Sequence, residues 1–357
     1  MSDVVAEIRG RAGLITLNRP KALNALSLGM VRELTAALLA WRDDPAVEVV
    51  AVRGTGKEGV FGAFCAGGDI RFFHQSALAG NPQLEDFFTE EYALNHLIHT
   101  YPKPYVAFMD GIVMGGGMGI SQGARVRIVT ERTKMAMPET NIGLFPDVGG
   151  GFFLGRCPGY MGEYLALTGS VIGGADALAA QLADVMMPSQ DLPDLWESLV
   201  SLGTQALPAQ VDAESAAAQS ALARASGPID HFFALDSVPA IIAALEADTS
   251  DWARETAALL RHRSPLMLHV VLEQVRRGRA MGLADDLRME RDLVRHCFHL
   301  RPGAASETVE GIRALAVDKD HAPRWNPPRI EDVTPEMVQP FFVSPWPDHA
   351  HPLATLR

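Results

Sequence analysis

Three short apolar runs, rich in β-branched or aromatic residues, alternate with helical patterns in the first half of the chain. The runs read VEVVAVRG at 47–54, PYVAFMDG at 104–111 and RVRIVT at 125–130. Runs of this kind, without polar alternation, are typical of strands buried in a parallel sheet. Strands that alternate with helices predict an α/β layer fold for this part of the chain.

The N-terminal region adds a hairpin and a helix to this pattern. Residues 3–9 and 13–17 are rich in β formers and flank a glycine turn, which predicts two antiparallel strands. Ser27 is placed to cap a helix that continues to about Asp43. One face of that helix carries apolar side chains at helical spacing, namely Met30, Val31, Leu34, Leu38 and Trp41.

The chain changes character after residue 205. Residues 192–300 have a mostly helical pattern rich in Ala, Leu and Arg, and the tail from residue 322 is rich in proline. Proline removes a backbone donor and ends helices, so we expect irregular structure with short turns in the tail. We therefore predict an α/β core over residues 1–205 and a helical C-terminal region with a proline-rich tail over 206–357.

Charge and composition exclude several classes of protein. The formal net charge is −12, which argues against a nucleic-acid binder, because such proteins present a basic face. No apolar run reaches the length of about 18 residues that a membrane-spanning helix needs. The three cysteines are far apart and form no CxxC pair, which supports neither a disulfide framework nor a cysteine zinc site. The N-terminus MSDVVAEIRG contains no apolar run of signal length, so we expect a cytoplasmic location.

A glycine motif that follows the first apolar run resembles a dinucleotide-binding loop. Gly54, Gly56 and Gly59 fit the pattern GxGxxG. In a dinucleotide site the last glycine lies in the first turn of a helix, which receives the pyrophosphate on its N-terminus. Here more glycines and aromatic residues follow instead of a helical pattern. We therefore interpret this segment as an ordinary loop.

A second motif, GxSxG at residues 119–123, matches the nucleophile elbow of serine hydrolases. That elbow needs a strand that runs directly into the serine and a helix that begins just after it. Ser121 instead follows three glycines and Met118, so the helix is expected to have begun already. A serine hydrolase with Ser121 as nucleophile stays an alternative on spacing alone.

Two acids stand in an apolar, turn-rich segment that reads MPETNIGLFPDVGGG at 137–151. Glu139 and Asp147 are its only charged residues. Moving a charged group out of water costs several kcal/mol unless the group is paired or its pKa changes. The segment therefore either holds two acids in a reactive pocket or is a surface loop whose acids reach the solvent.

Two glycine clusters share one arrangement, in which an apolar strand leads through glycines into a helix. They read CAGGDI at 65–70 and GIVMGGGMG at 111–119. Glycine lets a backbone come close to a ligand and turn its N–H groups inward, so two such loops could aim one donor each at a single oxygen. Close packing of helix on strand also selects glycine, and both explanations stay open.

Together these segments resemble the crotonase (enoyl-CoA hydratase) superfamily. The resemblance is carried by LNRPKALNAL at 17–26, FCAGGDI at 64–70, PYVAFMDGIVMGGGMGIS at 104–121 and MPETNIGLFPDVGGGFFLGRCPG at 137–159. It extends to EGIRALAVDKDHAPRWNPP at 310–328, which is similar to a branch that hydrolyses β-hydroxyacyl-CoA thioesters. The implied fold is an α/β, crotonase-like spiral of ββα units followed by a helical C-terminal region.

The resemblance implies four catalytic positions. The backbone N–H groups of Gly68 and Gly116 match the oxyanion hole for the thioester carbonyl, and Glu139 matches one of the two glutamates with which hydratases deliver water. The second glutamate would fall at position 119, which is glycine here. Position 147, commonly glycine in hydratases, is aspartate. This exchange favours thioester hydrolysis by Glu139 and Asp147 over double-bond hydration.

The resemblance also implies the substrate contacts. The segment RPKALNAL would line the coenzyme A groove, with Lys21 and Arg19 as cations near its phosphates, and Glu91 matches a substrate-contacting acid of the hydrolase branch. The implied contacts are Glu91, Gly67, Lys21, Ala22, Asn24, Ala66 and Asp69.

The expected reaction is transfer of the acyl group to water. Glu139 would attack the thioester to give an anhydride or would activate a water molecule, and neither route needs a metal or a cofactor apart from the coenzyme A of the substrate. The expected partner is a small acyl-CoA, with no nucleic acid and no membrane, and the oligomeric state is open. The alternatives are a hydratase or isomerase of the same superfamily and a non-catalytic coenzyme A-binding protein.

Overall fold

The computed structural model describes residues 2–57, 59–209 and 218–357. It contains two compact units, each built from separate stretches of the chain. The sheet unit comprises Met1–Gly68, Glu90–Ala136 and Val171–Arg224, and the helical unit comprises Asp69–Thr89, Met137–Ser170 and Ala225–Arg357. The predicted domains, 1–205 and 206–357, are continuous in sequence and describe a different division, which stays a prediction.

The sheet unit contains two β-sheets. In the described residues the larger sheet has seven strands, ordered β1-β2-β3-β5-β7-β9 with β4 paired to β3, and β6 pairs with β8 in a second sheet. The hairpin β1-β2 and the pair β3-β4 are antiparallel, and all other pairs are parallel. The strands are β1 Val4–Arg9, β2 Ala12–Leu17, β3 Val49–Gly56, β4 Gly59–Val60, β5 Tyr105–Met109, β6 Ile112–Met114, β7 Val126–Val129, β8 Lys134–Ala136 and β9 Val185–Met186. The predicted hairpin and the three predicted apolar strands are confirmed.

The described helices account for most of the remaining chain. In chain order they are α1 Leu28–Trp41, α2 Ile70–Ala79, α3 Gln83–His99, α4 Gly116–Gln122, α5 Gly150–Leu154, α6 Met161–Thr168, α7 Gly174–Ala179, α8 Leu192–Leu202, α9 Ala221–Arg224, α10 Ser226–Phe233, α11 Val238–Ala247, α12 Asp251–Arg261, α13 Pro265–Gly278, α14 Leu283–His299, α15 Glu307–Ile312 and α16 Pro335–Val338. Within the described ranges, none is long and apolar enough to cross a bilayer.

Helix α1 forms as its sequence predicts. The Ser27 hydroxyl accepts a hydrogen bond from the Met30 N–H at 3.3 Å, which satisfies one of the free donors of the first turn. The five apolar side chains expected on one face are all buried. Burial of that face stabilises the helix more than its intrinsic propensity does.

A large apolar cluster of the sheet unit lies on one face of the larger sheet. Strands β2, β3, β5 and β7 present apolar side chains to α8, whose Trp196 and Leu199 are buried against them. The Trp196 ring meets Phe108 edge-on, with centroids 5.4 Å apart. Parallel strands need cover on both faces, which explains why their sequences are nearly continuous apolar runs.

The helical unit is organised around α13 and α14. Helix α13 packs against α5 and α6, and α14 packs against α5 and α15. The Ser264 hydroxyl caps α13 by accepting from the Met267 N–H at 3.3 Å. The tail after residue 322 forms only short turns and α16, as its prolines predict. Helix α14 also carries three buried charged residues, Asp286, Glu290 and Arg291.

Candidate active site

The two glycine clusters lie side by side in the sheet unit. Cys65 donates its N–H to the Ile112 carbonyl at 2.9 Å, and Met114 donates its N–H to the Cys65 carbonyl at 2.9 Å. A Cβ added to Gly117 would overlap the Cys65 carbonyl, so only glycine permits this approach. Backbone pairing therefore fixes one loop against the other.

Gly68 and Gly116 are neighbours in this arrangement. A Cβ built on Gly116 would lie 3.4 Å from the Gly68 nitrogen, and one built on Gly67 would lie 3.6 Å from the Gly116 nitrogen. Gly67 has φ +103, a conformation that side chains rarely adopt. In the described part of the chain, neither the Gly68 nor the Gly116 N–H donates to another backbone carbonyl or side chain. Two available donors therefore stand next to each other.

Glu91 lies beside Gly116 in the second glycine cluster. It belongs to α3 and is 2% exposed. Its Oε1 lies 2.5 Å from the position that a Gly116 Cβ would occupy. The pKa of the nearby Cys65 thiol is raised to about 12, chiefly by burial and to a smaller extent by the Glu91 charge. The sheet unit thus brings together three of the predicted site residues, Gly68, Gly116 and Glu91.

The predicted coenzyme A segment forms a short turn that is tied to the first glycine loop. The Asn24 amide donates to the carbonyls of Ala63 and Phe64, both at 3.0 Å, and its Oδ1 accepts from the Arg19 N–H at 2.8 Å. The Ala66 N–H donates to the Leu23 carbonyl at 3.0 Å. The Asn24 side chain, which we predicted to bind substrate, is fully buried and is engaged with backbone groups.

Three other predicted contact residues occupy different settings. Lys21 is exposed and Ala22 is half-buried in the turn Pro20–Ala22. Asp69 belongs to the helical unit, where its side chain caps α2 by accepting from the Phe72 N–H at 3.3 Å. Their contacts with substrate stay predictions.

The helical unit holds the two predicted catalytic acids. Glu139 begins a short 3-10 turn, Glu139–Ile142, that ends at Gly143 with φ +63. The Thr308 hydroxyl donates to the Gly143 carbonyl at 2.7 Å and fixes the end of this turn. Glu139 is 7% exposed and Asp147 is 5% exposed, so the alternative of two solvent-reaching loop acids is wrong.

The environment of Glu139 is electrostatically unusual. Its Oε2 is buried and has no hydrogen-bond partner among the described residues. Burial raises the pKa of the Glu139 carboxyl well above 4.5, and the charge of Asp147 raises it further. Two carboxyl groups that disfavour each other's charge hold a single proton over a wide pH range. The structure thus brings together Glu139 and Asp147.

Sequence reasoning missed the residues that support the Asp147 loop. Asp286 and Glu290 lie one turn apart on α14, are fully buried, and accept hydrogen bonds from the backbone N–H groups of Gly149, Gly151 and Phe152. Their segment, LADDLRMERD, has the charge pattern of a solvated helix face. The only sequence signal is the glycine run 149–151, since a Cβ on Gly151 would overlap the Asp286 carboxyl.

The two rival motifs have structural explanations. Ser121 is fully buried inside α4, and its hydroxyl donates to the Gly117 carbonyl at 2.8 Å, as expected of a serine within a helix. Gly54 and Gly56 end β3, and the antiparallel strand β4 begins at Gly59, so no helix follows the GxGxxG pattern. These glycines therefore lie in two paired strands and not in the ordinary loop expected from the sequence, and the absence of a nucleotide site stays a prediction.

In the described ranges, no group of three or more His, Cys, Asp and Glu side chains is arranged to hold a metal ion. The expectation that the reaction needs neither a metal nor a cofactor stays a prediction.

Comparison with known proteins decides the family. The model of the enoyl-CoA hydratase/isomerase family matches residues 12–342. The chain belongs to this family. A relative in Xenopus tropicalis, named 3-hydroxyisobutyryl-CoA hydrolase, mitochondrial, is 42% identical over 344 residues, which are 94% of this chain and 87% of the relative. A relative in Arabidopsis thaliana, named probable 3-hydroxyisobutyryl-CoA hydrolase 3, is 40% identical over 353 residues, which are 96% of this chain and 91% of the relative.

Solved structures of family members are also similar. A crystal structure of an enoyl-CoA hydratase from Rhodobacter sphaeroides has a TM-score of 0.88 at 40% identity, covering 96% of this chain and 98% of that one. A crystal structure of a carnitinyl-CoA dehydratase from Mycobacterium thermoresistibile has a TM-score of 0.84 at 38% identity, covering 97% of this chain and 98% of that one. The resemblance to the crotonase superfamily and the α/β fold with a helical C-terminal region are confirmed.

Proposed function

We propose that this family member hydrolyses a β-hydroxyacyl-CoA thioester, and that its substrate is 3-hydroxyisobutyryl-CoA, an intermediate of valine catabolism. The products are 3-hydroxyisobutyrate and coenzyme A. The observation that carries the proposal is the buried pair Glu139 and Asp147, combined with glycine at position 119. The names of the relatives in Xenopus tropicalis and Arabidopsis thaliana support the same substrate.

The proposed role of the glycine loops is to stabilise the charge that develops on the thioester oxygen. The N–H groups of Gly68 and Gly116 are adjacent and have no other backbone or side-chain acceptor in the described chain. One donor of this kind contributes about 3–4 kcal/mol to transition-state stabilisation in comparable hydrolases. Glu91 lies beside Gly116, and its proposed role is to contact the acyl part of the substrate.

The proposed chemistry proceeds in two steps. A Glu139 carboxylate oxygen bonds to the carbonyl carbon, the carbon–sulfur bond breaks, and the departing thiolate takes a proton from Asp147. Water then attacks the anhydride, gives its proton to Asp147, and releases the hydroxy acid and the Glu139 carboxylate. Attack requires the ionised form of Glu139. In this mechanism Asp147 therefore carries the shared proton when substrate is bound. Asp147 also orients the 3-hydroxyl group.

The alternative within the family is hydration of a double bond, because the two similar crystal structures are named a hydratase and a dehydratase. The two-glutamate mechanism needs a second acid where this chain has Gly119, which carries no proton. The remaining alternatives are weaker. Ser121 donates its hydroxyl to a helix carbonyl, and a non-catalytic coenzyme A-binding protein would have no use for two buried acids.

Acyl specificity and location belong to the proposal as well. The 3-hydroxyisobutyryl and 3-hydroxypropionyl groups differ by one methyl, worth about 1–3 kcal/mol of discrimination, so we expect measurable activity on both. The cytoplasmic location expected from the sequence stays a prediction, and the Xenopus tropicalis relative is named as mitochondrial.

A paired assay tests the proposal. Release of free thiol is measured for a panel of acyl-CoA thioesters, and hydration of crotonyl-CoA is followed with the same preparation. We expect thiol release from β-hydroxyacyl thioesters to be far faster than hydration, and Glu139→Ala to abolish it. Hydration as fast as hydrolysis would assign the chain to the hydratase branch instead.

A further inference from the structure

The loop that carries Asp147 has a strained backbone. Val148, the next residue, has φ +57, and Gly149 follows with φ +91. A β-branched residue in the left-handed region is rare, because its side chain crowds the backbone. Strain of this kind persists only where the surrounding structure holds the segment in place. The loop therefore depends on contacts from outside its own sequence.

Glu290 supplies those contacts from α14. Its Oε2 accepts from the Gly149 N–H at 2.7 Å, and its Oε1 accepts from the Gly151 N–H at 3.0 Å. Gln274 of α13 donates to the same Oε1 at 3.0 Å and to the Pro146 carbonyl at 2.6 Å. The two side chains thus bind the backbone immediately before Asp147 and immediately after Val148.

Asp286 extends the attachment by one residue. Its Oδ2 accepts from the Phe152 N–H at 2.9 Å. Helix α5 has only five residues, and these carboxylates accept the N–H groups that its first turn cannot bond internally. Glu290 and Asp286 are both fully buried, so their hydrogen bonds do not compete with water.

We propose that Glu290 is a positioning residue for the thioester hydrolysis, holding the Pro146–Phe152 loop so that the Asp147 carboxyl stays in its reactive place. This inference rests on the proposed function, because it assigns Asp147 a part in the chemistry. Glu290 itself touches no substrate and acts through the Gly149 and Gly151 amides. A carboxylate is required, because both of its oxygens accept from N–H groups, whereas a glutamine would turn an NH₂ group toward one of these donors.

Kinetics of Glu290→Gln, Asp147→Asn and the double variant test this role. We expect Glu290→Gln to displace the Asp147 carboxyl by about 1 Å and thereby to lower kcat about 100-fold. KM should stay within a few-fold of wild type. If Glu290 acts through Asp147, the double variant should be no slower than Asp147→Asn alone. A double variant that loses the product of both factors would overturn the proposal.

A matched control separates positioning from general damage. Leu293 lies on the same helix, is fully buried, and makes no bond to the loop, so Leu293→Ala should lower the melting temperature while kcat stays within a few-fold. An equal fall in kcat for Leu293→Ala would show that Glu290 is merely structural. If Glu290→Gln does not fold, Glu290→Asp replaces it, because the shorter acid keeps the carboxyl group but cannot reach both amides.

Hydrogen exchange tests the attachment without any assay of activity. In Glu290→Gln the amides of residues 149–152 should exchange faster, while those of the neighbouring helix α6 keep their protection. If the wild type releases no thiol from any β-hydroxyacyl-CoA but this local exchange change occurs, the proposed function fails and the attachment stands. Unchanged exchange at 149–152 would refute the attachment whatever the activity.

Discussion

The charge of Asp147 raises the pKa of Glu139, in addition to the rise that burial causes. The two acids are eight positions apart in the sequence and both are buried in the helical unit. Because the proposed reaction needs Glu139 ionised, its rate should report this electrostatic coupling directly.

We predict that kcat/KM falls as the pH rises through the raised pKa of the Glu139–Asp147 pair. The proposed reaction needs one proton on the pair, with Glu139 ionised and Asp147 protonated, and the raised pKa keeps that proton bound at pH values well above 4.5. Asp147→Asn removes both the neighbouring charge and the proton donor, so its small remaining activity should lack this basic limb. The pH profile of both proteins is the measurement, and the same limb in both would contradict the coupling.

We predict that Glu139 is acylated during turnover. Brief mixing with substrate followed by hydroxylamine should convert its carboxyl to a hydroxamate, which peptide mass analysis detects. Glu139→Gln is the matched control, since an amide of the same shape cannot form the anhydride. If the Glu139 peptide stays unmodified while substrate is consumed, Glu139 acts as a general base, and Glu139→Ala should still be severely impaired.

Ser121→Ala should leave turnover within a few-fold of wild type. The Ser121 hydroxyl donates to the Gly117 carbonyl of its own helix, so its loss removes one hydrogen bond within the helix and no catalytic group. Thiol release under saturating substrate is the measurement. Removal of the serine from a true triad lowers kcat about a million-fold, and a loss of that size would favour the serine hydrolase alternative.

The contribution of Asp286 to the stability of the protein should decrease as the pH rises from about 4 to about 7. Burial raises the pKa of Asp286 to about 7, whereas in the unfolded chain it is near 3.9. A group with a raised folded pKa stabilises the fold below its unfolded pKa, and that contribution is lost as pH rises through the folded pKa. The melting temperature of Asp286→Asn minus that of wild type should therefore grow across this window and level off above it. A constant difference would contradict the assignment.

Local patterns predicted much of the sheet unit. The apolar face of α1 and the strands β3, β5 and β7 follow from periodicity, because each buries a continuous apolar surface. Strand β8 and its pairing with β6 were not predicted, since three residues are too few to show a period.

The candidate site was predicted only in part. Glu139 and Asp147 stood out because acids are unusual in an apolar segment, and the structure buries both. Asp286 and Glu290 were missed, because a charged helix segment gives no sign that its acids bond distant N–H groups. Asn24 was expected to contact substrate, yet its side chain is engaged by backbone groups that are more than thirty residues away in sequence.

The attachment made by Asn24 limits how the sheet unit can move. Its amide, together with the Ala66–Leu23 and Leu26–Gly67 backbone bonds, joins the turn after β2 to the loop that carries Gly68. Neither segment can open without breaking the bonds of the other, so they form one cooperative unit of local unfolding. If this turn lines the coenzyme A groove as the sequence predicts, loosening it would also displace the proposed oxyanion donor Gly68, so binding of the nucleotide end would be coupled to order at the thioester carbonyl.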